Sequence, residues 1–362
     1  MQQSNLELVE DGKESSSVKP TQRISMSVRS AVSGTSRISH TARLLHYFDY
    51  IAILRPLLLI PAWTMVLLGY YNGLDKEAVT ARLSIGKMPI IWHPDGRILV
   101  TLLLYSLLMG AIYILNQISD SRTDEINGKL YLVAQGYMKE NILKIQIGIL
   151  ILVSVVIAFL QFSRMYTYLI LLSIVLGVLY SVSPIRLKGR PILDLFANAC
   201  GFGLVAFAVG WTSSSTFSTD IALKCLPYVI CISAAFINTT IPDMKGDRQN
   251  GDITTGIFLG IRKSCILSTI LVGAAPLISL LLGDFICLTA SALSLPFFVY
   301  MTVSNWDEQS PDFRSIILAT KISLMLLSLL IAIFIPLYFA ILVIAVFLTK
   351  LYYQMRFGIS YP

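Results

Sequence analysis

NQISDSRTDEIN, residues 116–127, follows directly on the apolar run 98–115. It has a counterpart: DMKGDRQNGD, residues 243–252, follows the apolar run 221–241. Each stretch gathers carboxylates at the downstream end of a long apolar segment. About 20 apolar residues, wound as a helix, cross roughly 30 Å of hydrocarbon. Each acidic stretch therefore sits where a membrane helix leaves the bilayer. A transmembrane barrel would show alternation in pieces of about ten residues, and none is visible. The fold class is thus all-α, a polytopic bundle of membrane helices around a central cavity.

The rest of the chain agrees. Of 362 residues, 55% are hydrophobic and 14% charged, where soluble domains carry about 25% charge. Apolar runs begin near residues 48, 98, 142, 166, 192, 221, 264, 285 and 316. The last, 316–351, is too long for one ordinary span and contains Pro336, which breaks or kinks a helix. Nine transmembrane helices are expected, ten if that proline divides the last run. Residues 1–43 are Ser-rich, polar and aperiodic, and read as a disordered tail ahead of a membrane domain at 44–362. An organelle-targeting segment is the alternative, because 19–43 is basic and hydroxyl-rich without an acid.

The formal charge of +7 lies largely in the tail and between helices. That suits anionic membrane lipid and topology better than nucleic acid. The five cysteines fall in or beside apolar runs without paired spacing and read as small apolar packers. The second and sixth helices are both even-numbered, so both acidic stretches emerge on one face. Lysine and arginine in the tail and in 122–139, 186–190 and 245–263 mark that face as cytoplasmic, or its organellar equivalent.

Asn116, Asp120 and Asp124 are spaced by four, as are Asp243 and Asp247. On a continuing helix such residues drift only about 40° per step and form one stripe. Two carboxylates about 6 Å apart repel by roughly 3 kcal/mol at an effective dielectric of about 20. Five aspartates, counting Asp252, facing one cavity would need protons or cations. Hard divalent ions with oxygen ligands fit best, and Mg²⁺ tolerates few carboxylates when a substrate phosphate supplies the rest. Arg122, Lys129, Arg186, Lys188, Lys245 and Arg248 are close enough in sequence to offset the charge. A solvated loop is the plain alternative for one such stretch; two sharing spacing and face are harder to explain that way.

These residues carry a resemblance to the UbiA superfamily of intramembrane prenyltransferases. Asn116-Gln117-x-x-Asp120-x-x-x-Asp124 resembles that family's first aspartate motif, and Asp243-x-x-Gly246-Asp247-Arg248 its second. Arg55-Pro56 is similar to an early Arg-Pro of the family. Tyr180-Ser181-x-x-Pro184-x-Arg186-x-Lys188 is similar to its Tyr-Ser-x-Pro-Pro-x-Arg-x-Lys loop. Gln117 stands where many members have a first aspartate, a variant similar to the homogentisate and aromatic branch. Ser183 replaces a frequent proline, and the branch's Lys-Pro is absent after Asn127.

The resemblance implies Mg²⁺-dependent prenyl transfer from a prenyl diphosphate to a lipophilic acceptor, an aromatic quinone precursor being favoured. It implies two Mg²⁺ ions on Asp120, Asp124, Asp243 and Asp247, with Asn116 as a further oxygen ligand or orienter. Arg186 and Lys188 would contact the diphosphate, with Arg55, Arg122, Lys129 and Arg248 as further candidates. Tyr180 would face the allylic cation. Two alternatives remain open in the sequence: a membrane terpene cyclase that ionises the same donor without an external acceptor, and a cation-coupled transporter. The latter would place its acidic residues nearer the middle of helices.

Overall fold

The computed structural model describes residues 40–75, 83–86, 88–126, 132–133 and 136–359, without the side chains of 40–45, 122 and 126. Most of the tail, residues 1–39, lies outside them. The chain divides into two compact units, residues 1–44 and 45–362, and the membrane helices belong to the second.

The elements are almost all helical. They are α1 (His40–Ala52), α2 (Pro56–Gly73), a short hairpin of β1 (Ser84–Ile85) and β2 (Met88–Pro89), α3 (Gly96–Ser119) and α4 (Ser121–Ile126). Then come α5 (Glu140–Gln161), α6 (Arg164–Ser181), α7 (Leu193–Asn198), a π-helical stretch Ala199–Val205 and α8 (Ala206–Ser214). The chain continues through α9 (Asp220–Thr240), α10 (Met244–Asn250), α11 (Thr255–Leu259) and α12 (Ile261–Leu282). It ends with α13 (Phe285–Ser304), α14 (Phe313–Phe334) and α15 (Pro336–Phe357).

Among the described residues, ten helical segments are long and apolar enough to cross a membrane. The final run is two helices: α14 ends at Phe334, and Pro336 occupies the first turn of α15, where its missing N–H is harmless. Helix starts carry local signals. Asp95, Ser163, Asp284 and Asp312 each accept a hydrogen bond from a backbone N–H of the helix they precede.

The core runs along α2, α3, α8 and α9. Gly69 on α2 and Gly210 on α8 let those two helices meet backbone to backbone. A Cβ on Gly69 would run into the carbonyl oxygen of Phe207, and one on Gly210 into that of Val66. Hydroxyls tie helices together where lipid offers no partner. Thr64 Oγ1 lies 2.8 Å from both Ser328 Oγ and Tyr338 Oη, linking α2, α14 and α15. The Trp63 indole donates to Ser106 Oγ at 2.7 Å. Outward faces are apolar, as on α5 with Ile145, Ile149, Leu152 and Phe159 exposed, which suits lipid contact. The five cysteines are free.

Candidate active site

The first acidic stretch stays helical across the junction of α3 and α4. The Asp120 N–H donates to the Asn116 carbonyl and the Asp124 N–H to the Asp120 carbonyl, both at 2.9 Å. Asn116, Asp120 and Asp124 consequently share a face, as their spacing requires. The second stretch forms α10, which packs against α4. Its end is set by Gly251, whose φ of 84° is left-handed and costs glycine little. The reversal brings the Asp252 N–H onto the Asp247 carbonyl at 3.0 Å and turns Asp252 back toward the site.

One cavity of about 510 Å³ collects these groups. Asn116, Asp120 and Asp124 line it from α3 and α4, and Asp243, Asp247 and Asp252 from α10 and its flanks. Arg55, Tyr180 and Lys188 also line it. Much of the remaining wall is apolar, with Met109, Ile112, Leu176, Phe202 and Ile232. The π-helical stretch places Gly201 on this wall, where a Cβ would meet nothing within 4 Å. Gly203, two residues on, instead packs tightly against Val229.

Among the described residues, Lys188, Arg186 and Arg55 reach the acids. Lys188 Nζ pairs with Asp120 Oδ1. Arg186 grips Asp252 with two bonds, Nε to Oδ1 at 3.0 Å and Nη2 to Oδ2 at 2.8 Å, and its Nη2 also reaches Asp120 at 3.2 Å. Arg186 is thus bound to the site's acids without lining the cavity itself. Arg55 Nη2 lies 3.9 Å from Asp124 Oδ2. Arg55 and Arg186 both have left-handed backbones, with φ of 53° and 38°. Such strain concentrates at sites whose surroundings hold it in place. Burial pushes the Lys188 ammonium down to about 8, against the opposing pull of Asp252, Asp247 and Asp243. Burial also works against the Asp252 carboxylate, but bonds from Arg186 and Asn250 outweigh it and hold its pKa below the ordinary value.

Other expected site residues fall elsewhere. Arg248 is exposed on the opposite side of α10 and lines a separate hollow with Lys245. The side chain of Arg122, and Lys129 altogether, lie outside the described residues. Gln117 is buried and faces away from the cavity. Its Nε2 donates to the Ile53 carbonyl at 2.9 Å, bracing the helix break that presents Arg55.

One pairing and one residue escape a sequence reading of the site. Asp252 is visible as part of the acidic stretch, but its pairing with Arg186 spans 66 positions. Asp194, fully buried, accepts from the Thr255 N–H at 2.7 Å and from Thr255 Oγ1, and so ties α7 to the segment just after Asp252. A lone aspartate three residues after Pro191, at the start of an apolar run, is its one signal.

Known proteins bear on this geometry. The rice (Oryza sativa subsp. japonica) protein named probable homogentisate phytyltransferase 2, chloroplastic, is 26% identical over 203 residues, covering 53% of this chain. The chain spans about half, 51%, of that relative's length. A UbiA homolog from Archaeoglobus fulgidus, solved with GPP and Mg²⁺, has a similar fold at 16% identity and a TM-score of 0.58, over 82% of this chain and 99% of that one. The apo UbiA homolog of Aeropyrum pernix K1 aligns over 86% and 99% at 15% identity, with a TM-score of 0.54. The sequence pattern of the UbiA prenyltransferase family matches residues 78–319, two thirds of the chain and both acidic stretches, and the chain belongs to that family.

Proposed function

We propose that the protein transfers a prenyl group from a prenyl diphosphate to a lipophilic acceptor, with Mg²⁺ as cofactor, and that the acceptor is an aromatic quinone precursor. The observation that carries this reading is the meeting of both aspartate pairs with Arg55 and Lys188 in a cavity whose other walls are largely apolar. The mouth would open to the cytoplasm or its organellar equivalent, on the strength of the basic loops around it. The Asn116-Gln117 order and the name of the rice relative support the aromatic acceptor.

The donor set fits the metal. It is all oxygen, as Mg²⁺ prefers. Among the described residues no three acids, histidines or cysteines converge to hold an ion alone, so diphosphate oxygens would have to complete the coordination. Asp120, Asp124, Asp243 and Asp247 would hold two ions, with Asn116 as a further oxygen. Bound there, Mg²⁺ supplies countercharge for the diphosphate as it departs.

The protein's own groups do the rest. Lys188 and Arg55 donate to diphosphate oxygens, and Arg186 holds Asp120 and Asp252 in place. The carbon–oxygen bond breaks with its electron pair leaving on the diphosphate. Tyr180, which lines the cavity, would stabilise the allylic cation through its ring face. Apolar walls keep water from that cation until an acceptor carbon supplies the pair for the new bond and loses a proton.

A panel of prenyl diphosphates of several lengths, crossed with aromatic, glycerol-lipid and no-acceptor conditions and read by mass spectrometry, tests the proposal. Prenylated aromatic product that requires Mg²⁺ is expected. A cyclised product without acceptor, or no consumption of any donor, would overturn it.

A further inference from the structure

Arg248, which the aspartate motif leads one to expect at the cavity, points instead to a second site. α10 has two working sides. At about 100° per residue, Asp247 lies about 40° from Asp243 around the helix, while Arg248 and Lys245 lie about 140° and 200° away. The aspartates enter the first cavity; the two cations line a separate hollow of about 550 Å³.

This hollow lies where three membrane helices begin or end. Ile241 follows α9, Ile261 opens α12 and Phe313 opens α14, and all three line it. Exposed Phe313 lines it, and Trp306, two residues before the lining residue Glu308 and likewise exposed, is stacked by the Arg262 guanidinium at 3.8 Å, as suits interfacial aromatics. The one carboxylate in the lining, Glu308, accepts from the Arg262 N–H at 3.2 Å and so helps cap α12.

The cations of the first cavity are paired with aspartates, whereas among the described residues neither Lys245 nor Arg248 has an ion-pair partner. Two such cations beside the Gln249 amide, at a bilayer margin with apolar side chains beneath, match a phosphate whose ester carries acyl chains. We propose that this hollow binds the headgroup phosphate of an anionic phospholipid, on the far side of the helix that carries the second aspartate pair. A free phosphate shares the chemistry but would not use the apolar lining of Ile241, Met244, Ile261 and Phe313.

Full-length protein in nanodiscs of phosphatidylcholine with phosphatidylglycerol, released and examined by native mass spectrometry, tests the site. Wild type should retain phosphatidylglycerol over phosphatidylcholine. Lys245→Ala/Arg248→Ala should lower that retention at least about tenfold, while Arg314→Ala, on the same face but outside the hollow, leaves it unchanged. Both altered residues are solvent-accessible, and an unshifted melting temperature shows the variant folded. Added inorganic phosphate should not displace the lipid. Equal retention by wild type and the double variant, or displacement by inorganic phosphate down to the double variant's level, overturns the proposal.

Discussion

Two carboxylate–guanidinium clusters in this protein share their chemistry and differ in kind. In the first, Asp49 is fully buried and saturated. Arg356 donates to it twice at 3.0 Å, Tyr352 Oη donates at 2.6 Å, and His46 Nδ1 lies 2.9 Å away. It fastens α1 to α15 across 307 positions. In the second, among the described residues, the five aspartates of the acidic stretches gather with Arg55, Arg186 and Lys188 beside an open cavity. A cluster closed on all sides holds the fold; one that opens on a cavity leaves its acids within reach of a ligand. The difference lies in access, not in bond geometry.

Breaking each cluster should give opposite phenotypes. Asp120→Asn or Asp247→Asn should cut Mg²⁺-dependent diphosphate release by at least about 10²–10³-fold. Asp247→Asn should leave the melting temperature near wild type, since it relieves repulsion among like charges; Asp120→Asn should lower it somewhat, because Lys188 and Arg186 lose a countercharge. Asp49→Ala should leave the specific activity of folded protein near wild type. It should destabilise by about 1.5–3 kcal/mol, because Tyr352 and the half-buried Arg356 lose their charged acceptor; thermal unfolding in detergent reads this directly.

The cation side gives a subtler contrast. With its pKa at about 8, Lys188 is charged below that pH and neutral above it. The kcat/KM for the prenyl diphosphate should therefore fall as pH rises through about 8, since that quantity reports the free enzyme. Lys188→Arg should flatten that limb. Smallest of all, Gln117→Leu should cost about 1–2 kcal/mol of stability by stranding the Ile53 carbonyl. It should raise KM for the donor, through Arg55, more than it lowers kcat.

The ten spans are legible in the sequence because each is a long apolar run, and Pro336 marks the one division that length alone leaves open. Asn116, Asp120, Asp124, Asp243 and Asp247 are legible because fourfold spacing is a helical face. Orientation is not. Spacing sets Arg248 about 100° around the helix from Asp247, but which of the two enters the cavity depends on how α10 rolls against α4. Gln117 looks like a site residue by position, yet it turns inward because the break before Pro56 exposes a carbonyl to it. The Asp49–Arg356 and Arg186–Asp252 pairs join residues far apart in sequence, and only packing reveals them.

If both aspartate pairs grip one diphosphate through Mg²⁺, neither pair should bind it well alone. Calorimetric titration with a non-ionising prenyl thiolodiphosphate, with and without Mg²⁺, tests this on wild type, Asp120→Asn, Asp247→Asn and the double variant. Shared grip requires Mg²⁺-dependent binding that each single change weakens nearly as much as the double one, because groups acting as a unit are not additive. Wild-type affinity in Asp247→Asn, or two independent losses that simply add, would contradict it.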